Sequence, residues 1–218
     1  MKRIFLLGSL NCDITVRAPY LPESGETLKG SDFMITAGGK GANQAYACAA
    51  LGGSVKMAGA VGKDAFGDML LNSLQGVGVD VSYIRRVEEN TGTAMITVIN
   101  GDNRIILSEG ANGVVNEKDI SGLLADAVEG DIFVTQLENP FQIILHALKA
   151  AKEKGLFTVF NPAPAFAEAK EAVEYSDIII PNRKELKLLT GKDGLDEGCE
   201  ELLRLGAGAV IVTLGAKG

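Results

Sequence analysis

Amides, carboxylates and hydroxyls recur in this chain where short apolar runs end. Asn11 and Asp13 follow Arg3–Leu7, Gln136 and Glu138 close the run that begins at Asp131, and Asn161 follows Phe157–Phe160. Asn182 follows Asp177–Ile180, and Thr213 with Gly215 closes the run that begins at Ala209. Any one of these alone reads as a turn residue or a helix cap. Their recurrence carries weight because open α/β sheets bind ligands outside the carboxyl ends of their strands. Asn11 and Asp13 are two apart, so in an extended segment both point the same way. An amide beside a carboxylate suits the hydroxyls of a polyol, and Glu138 can accept a further one.

The sharpest local feature is Ala37-Gly38-Gly39-Lys40-Gly41-Ala42-Asn43-Gln44. Glycine lets a backbone approach a ligand closely, and the helix that follows offers unpaired N–H groups at its positive end. Lys40 adds a full charge, and Asn43, one turn in, can reach back to the loop. The segment is not a Walker A loop, because Gly41 stands where Ser or Thr is needed, and no third glycine completes a dinucleotide fingerprint. The plain alternative is a glycine-assisted turn before a helix. Asn182-Arg183-Lys184-Glu185 also has two readings. Asn at an N-cap with Glu three positions on is close to a capping box. The functional alternative has Asn182 bonding phosphate oxygens while Glu185 orients water on Mg²⁺. Thr213-Leu214-Gly215-Ala216-Lys217-Gly218 sets a glycine loop after a buried strand, where it could cradle nucleotide phosphates.

Composition narrows the chemistry further. A single histidine, His146, excludes any two-histidine metal motif, and it lies off the apolar face of its helix. Cys12, Cys48 and Cys199 are odd in number and far apart, which fits neither a disulfide framework nor a zinc ribbon. With 21 basic against 28 acidic residues the formal charge is −7, and no basic stripe is present to neutralise nucleic-acid phosphates. No segment approaches the ~18 apolar residues of a membrane span, and Ile4–Leu7 is too short for a signal-peptide core. Free thiols and no export signal make the cytoplasm the expected location.

The elements that must position these groups alternate. Strands are expected at Arg3–Leu7, 55–60, 131–137, Phe157–Phe160, 177–180 and 209–213, several apolar throughout as strands covered on both faces are. Helices are expected at 41–51, 65–75, 117–128, Phe141–Glu153, 183–189 and 197–205, which together give a doubly wound, mostly parallel α/β sheet. Two stretches break the rhythm. Residues 14–18 and 33–36 flank a Pro-x-x-Gly turn at Pro22–Gly25, and 93–99 with 104–108 bracket Asn100-Gly101-Asp102-Asn103 as a β-hairpin. Together they predict a small antiparallel sheet outside the main one, suited to a lid over a site or to a dimer surface.

The chain resembles the ribokinase-like (PfkB) carbohydrate kinase family through motifs in the family's order. These are Gly8-Ser9-Leu10-Asn11-Cys12-Asp13, Pro22–Thr27, Gly38–Gln44, Gly59–Gly67, Thr91-Gly92-Thr93-Ala94, Gln136-Leu137-Glu138, Asn161–Ala165, Pro181-Asn182 with Glu185, and Thr213–Gly218. The resemblance implies that Asn11, Asp13, Gly39, Lys40, Asn43 and Glu138 hold a sugar. It implies that Asn182 contacts ATP phosphates, that Glu185 serves the Mg²⁺ region through water, and that Thr213, Gly215, Lys217 and Gly218 belong to the nucleotide loop. It further implies transfer of the γ-phosphoryl group of ATP to a primary hydroxyl, with ribose first among the sugars and fructose, 2-keto-3-deoxygluconate or a nucleoside as alternatives. A homodimer formed through the β lid and, in a full-length protein of the family, a monovalent cation such as K⁺ complete the expectation; neither nucleic acid nor membrane is an expected partner.

One departure stands against these matches. The family's Asp-Thr-x-Gly-Ala-Gly-Asp signature, which supplies the anion hole and the aspartate base, does not occur among the 218 residues. The expectation is therefore an incomplete ribokinase-like domain over 1–218, with lid strands inserted at about 14–36 and 93–108 and no catalytic base. On its own it is expected to be inactive. A non-catalytic sugar-binding protein is the rival reading. A nicotinamide enzyme is disfavoured because Gly8–Asp13 lacks the glycines it needs.

Overall fold

The computed structural model describes residues 2–218. Seven parallel strands form the main sheet: β1 (Arg3–Leu7), β4 (Ser54–Gly62), β5 (Asp80–Val87), β8 (Ile132–Thr135), β9 (Phe157–Phe160), β10 (Ile178–Ile179) and β11 (Ala209–Val210). Their order is β11-β10-β9-β8-β1-β4-β5. From β1 the chain winds outward through β4 to β5, then restarts at β8 and winds the other way. The switch point therefore lies between β1 and β8, where the connections diverge and a crevice opens at the carboxyl ends.

Both faces of the sheet are covered, which explains its unbroken apolar runs. On one face α1 (Lys40–Ala50) and α2 (Ala65–Gly76) pack over Leu6, Val55, Met57 and Val61. On the other, α3 (Glu117–Leu123), α4 (Phe141–Glu153), α5 (Arg183–Thr190) and α6 (Leu195–Arg204) meet Phe5, Leu7, Phe133 and Phe160. Alternation within β1 alone thus feeds two cores, and Phe5, Leu6 and Leu7 are all fully buried. In α4 one face carries Ile144, Ala147, Leu148 and Ala151, all buried, with Ile143 partly buried beside them.

One expectation shifts and one strand was not expected, each for a tertiary reason. The helix expected over 117–128 stops at Leu123, and the chain turns so that Asp126 and Asp131 reach Arg3 at 2.9 and 2.7 Å. β5 carries no clear apolar run because it is an edge strand paired only with β4.

The second sheet has the order β3-β2-β6-β7, from β2 (Asn11–Arg17), β3 (Ser31–Gly38), β6 (Gly92–Ile99) and β7 (Asp102–Ser108). Its β2–β3 and β6–β7 pairs are antiparallel, as the turn residues predict, but they are joined by a parallel β2–β6 pair, so the small sheet is mixed. Asn100 at φ 51° and Gly101 at φ 85° supply the two positive-φ positions of a tight hairpin between β6 and β7.

Candidate functional site

The β1–β2 turn begins the site. Asn11 pairs in register with Gly38 of β3 and Gly92 of β6, and Asp13 pairs with Thr36 and Ala94. Asn11 and Asp13 therefore share a face of the small sheet, and register carries that face on to Leu107 opposite Ala94 and Ile105 opposite Ile96. This face overhangs the switch point. Asn11, Asp13, Gly39, Lys40, Asn43 and Glu138 line one cleft of about 260 Å³ with Ala94, Ile96, Ile105, Leu107 and Pro164. The six residues expected to hold a sugar are thus brought together, and apolar side chains wall them in.

Glu138 is the hub. Its Oε2 accepts from Ser9 Oγ at 2.6 Å, from the Lys40 backbone N–H at 3.1 Å and, more weakly, from Asn11 Nδ2 at 3.4 Å. Its Oε1 lies 3.4 Å from Lys40 Nζ. One carboxylate oxygen is thereby committed to the frame, and the other is left beside a cation. Asp13 is held differently. Burial, and next the charge of Glu138, push its carboxyl above its ordinary value, while Lys40 opposes the rise. Gly38 leaves room for it, since a Cβ there would meet the Asp13 carboxylate at 2.3 Å.

The glycines of the segment after β3 correct one expectation. They bring chain against chain, with Gly39 also lining the cleft, and the N–H groups behind them are not left unpaired. Gly39 caps α1 at φ 93°, and a Cβ on it would meet the Asn11 nitrogen at 2.7 Å. A Cβ on Gly41 would lie 2.5 Å from the Gly8 backbone. The first N–H groups of α1 are also taken: that of Lys40 by Glu138, that of Gly41 by Ser9 Oγ, and that of Ala42 by the Ser9 carbonyl. This helix end serves the site by fixing Glu138 and Ser9.

The residues expected to meet a nucleotide lie elsewhere along the same edge. Asn182 follows β10 and bridges in parallel to Thr213. Its Oδ1 accepts from the Lys184 and Glu185 N–H groups at 2.8 and 2.9 Å, while a Glu185 oxygen accepts from the Asn182 N–H at 2.7 Å. The capping box is therefore formed. It leaves Asn182 Nδ2 and the second Glu185 oxygen without a partner among the described residues, a donor and an acceptor that fit a phosphate oxygen and a hydrated cation respectively. No group of three or more potential metal-ligating side chains occurs among the described residues. Gly215 and Gly218 take positive φ in the closing turn around Lys217.

Sequence reasoning does not single out Ser9, Gly92 or Asn112 as site residues. Ser9 is fully buried, and Asn112, 2% exposed, bonds the Asn11 side chain at 2.8 Å. Neither polar type nor spacing announces a buried partner of a partner. The one available signal was an asparagine set between glycines in a segment without apolar periodicity.

A parallel sheet opened at its switch point and roofed by a small mixed sheet, with amide, carboxylate and ammonium groups converging beneath, defines an α/β protein with a polar cleft at the carboxyl ends of its strands. The chain belongs to the pfkB family of carbohydrate kinases, whose family model matches residues 1–218. It is 38% identical to the ribokinase of Haemophilus influenzae, over 100% of this chain and 73% of that protein. It is 34% identical to the deoxyribokinase of Salmonella typhi, over 99% of this chain and 73% of the relative. The structure of Arabidopsis thaliana ribokinase complexed with ribose and ATP superposes at a TM-score of 0.87 with 32% identity, covering 100% of this chain and 73% of that one.

Proposed function

We propose that this chain carries the sugar site and part of the nucleotide site of an ATP-dependent kinase that phosphorylates the primary hydroxyl of ribose. The observation that carries the reading is the convergence of Asn11, Asp13, Lys40, Asn43 and Glu138 in one walled cleft. Carboxylates accept the protons of sugar hydroxyls, while amide and ammonium groups donate to their oxygens, so the two kinds side by side can bracket neighbouring hydroxyls. Ala94, Ile96, Ile105 and Leu107 cover the ligand and limit water. Catalysis of phosphoryl transfer is largely positioning and charge stabilisation, which suits such a site.

ATP supplies the phosphoryl group and Mg²⁺ offsets phosphate charge. Asn182, Thr213, Gly215, Lys217 and Gly218 are the residues proposed to hold the nucleotide, with Glu185 acting on the cation through water. No described residue is assigned as catalytic base or to a monovalent cation. A polypeptide of these 218 residues is therefore proposed to bind ribose without turning it over. The apolar rows of the small sheet, including Phe33 at 65% and Ile106 at 75% exposure, are proposed to pair with a second copy. No helix among the described residues is long and apolar enough to cross a membrane, and the free thiols suit a cytoplasmic setting.

Calorimetric titration with ribose, 2-deoxyribose and fructose, read beside ADP release, tests this. The expected result is saturable ribose binding, weaker 2-deoxyribose and fructose binding, and ADP release no greater than a protein-free blank. Sugar-dependent ADP release would overturn the proposed lack of turnover. Absence of binding to all three sugars would overturn the sugar site, and a preference for 2-deoxyribose would move the substrate to that sugar.

A further inference from the structure

We propose that Asn112 is a positioning residue for sugar binding, because it dictates which end of the Asn11 amide faces the cleft. The inference rests on the ribose-binding reading above and extends it to a residue outside the cleft's inner wall.

An asparagine side chain can present either a donor or an acceptor, and its surroundings must choose. Here the choice is made by backbone groups that cannot be inverted. The Leu10 N–H donates to Asn112 Oδ1 at 2.9 Å, and Asn112 Nδ2 donates to the Leu10 carbonyl at 3.1 Å. With its amide fixed by both Leu10 groups, Asn112 has only an N–H to offer Asn11, and it donates to Asn11 Oδ1 at 2.8 Å. The Asn11 carbonyl is thereby turned away, and its Nδ2 faces Glu138 at 3.4 Å with hydrogens available to a ligand oxygen. A donor at Asn11 between acceptors at Glu138 and Asp13 is the alternation that a pair of hydroxyls requires.

Packing bears on the same bond independently. A Cβ on Gly92 would lie 2.2 Å from Asn112 Nδ2 and 2.3 Å from Asn11 Oδ1, so the start of β6 is bare where the two amides meet. The Asn112 carbonyl also accepts from Asn139 Nδ2 at 3.1 Å, next to Glu138. Asn112 lies in the 3₁₀ turn Gly110–Val114, which follows β7 directly. It joins the end of the small sheet to both sides of the crevice.

The test is a double-mutant cycle on the 218-residue chain, read as ribose affinity by calorimetry. Asn112→Asp keeps the shape but removes the donor to Asn11, so the Asn11 amide is expected to invert and ribose affinity to fall about tenfold to a hundredfold. In the Asn11→Ala background the same change is expected to have less than a twofold effect, because no amide remains to be oriented. A merely structural role would weaken binding equally in both backgrounds, and that result would overturn the proposal. Equal affinity of wild type and Asn112→Asp would overturn it too. If Asn112→Asp does not fold, Asn112→Ala is read through the same cycle with the same expectations. Failure of the wild-type chain to bind ribose would instead remove the reading on which the inference stands.

Discussion

Replacing Glu138 by Gln separates the frame of the site from its ligand contacts. The Gln carbonyl can stay where Oε2 now lies and keep the donors from Ser9 Oγ and the Lys40 N–H. Its NH₂ then replaces Oε1, facing the cleft and Lys40 Nζ with hydrogens where an acceptor stood. The lost pairing involves a Lys40 side chain that is 41% exposed, so it stabilises the fold by about 1 kcal/mol at most. The lost ligand contact is a charge-assisted hydrogen bond worth about 1.5–3 kcal/mol, or roughly a ten- to hundredfold change in affinity. Ribose titration and urea unfolding of the same preparations measure both. The expected outcome is a much weaker ribose complex on a fold within about 1 kcal/mol of wild type. Ribose affinity within twofold of wild type would refute the placement of Oε1 against the ligand. A loss of unfolding free energy as large as the loss of binding would assign Glu138 to the frame alone.

Three further outcomes follow from the geometry. Asp13 has its folded pKa raised above the ordinary value near 3.8, so the native state holds the proton more tightly than the unfolded chain; stability is full below that value and falls as pH rises through the folded pKa. Asp13→Asn should therefore raise the melting temperature at pH 7, lose that advantage on acidification below about pH 3.8, and weaken ribose binding; an unchanged melting temperature at pH 7 would contradict the burial argument. Gly41→Ala should gain about 1 kcal/mol from helix propensity, yet the 2.5 Å approach to the Gly8 backbone reverses the sign. Denaturant unfolding is expected to show net destabilisation. Asn182→Ala removes the acceptor for two N–H groups at the start of α5 and should cost about 1 kcal/mol, readable as a lower denaturation midpoint. If Asn182 also meets phosphate, ADP binding should weaken beyond that loss.

How much was legible in the sequence depended on whether a residue's neighbours were local. β1, β9 and α4 fell where period and punctuation put them, because their apolar faces are set by residues a few positions apart. The convergence of six residues in one cleft was legible through motif order, and the shared face of two of them, Asn11 and Asp13, through spacing alone. β5 was not legible: its polar positions face solvent at the sheet edge, and only pairing with β4 makes it a strand. The parallel β2–β6 pairing was hidden for a similar reason. Between them the chain runs through β3 and then through α1, β4, α2 and β5 of the main layers, and turn chemistry describes only the antiparallel partners. Asn112 lay beyond reach because its function is to orient another amide a hundred residues away.

The glycine-rich segment shows why residue type alone misassigns a role. Glycines before a helix N-terminus suggest an anion cradle, yet here the N–H groups of that terminus are consumed by Glu138 and Ser9. An uncompensated anion placed there would compete with the Glu138 carboxylate for those donors, which is unfavourable. Under the proposed reading, phosphate is handled at the ends of β10 and β11, where Asn182 Nδ2 has no partner among the described residues. Those ends lie two to four strand spacings from β8 and β1, about 10–20 Å along the edge. That separation suits a reaction in which sugar and triphosphate approach from different parts of one edge and meet only at the transferring group.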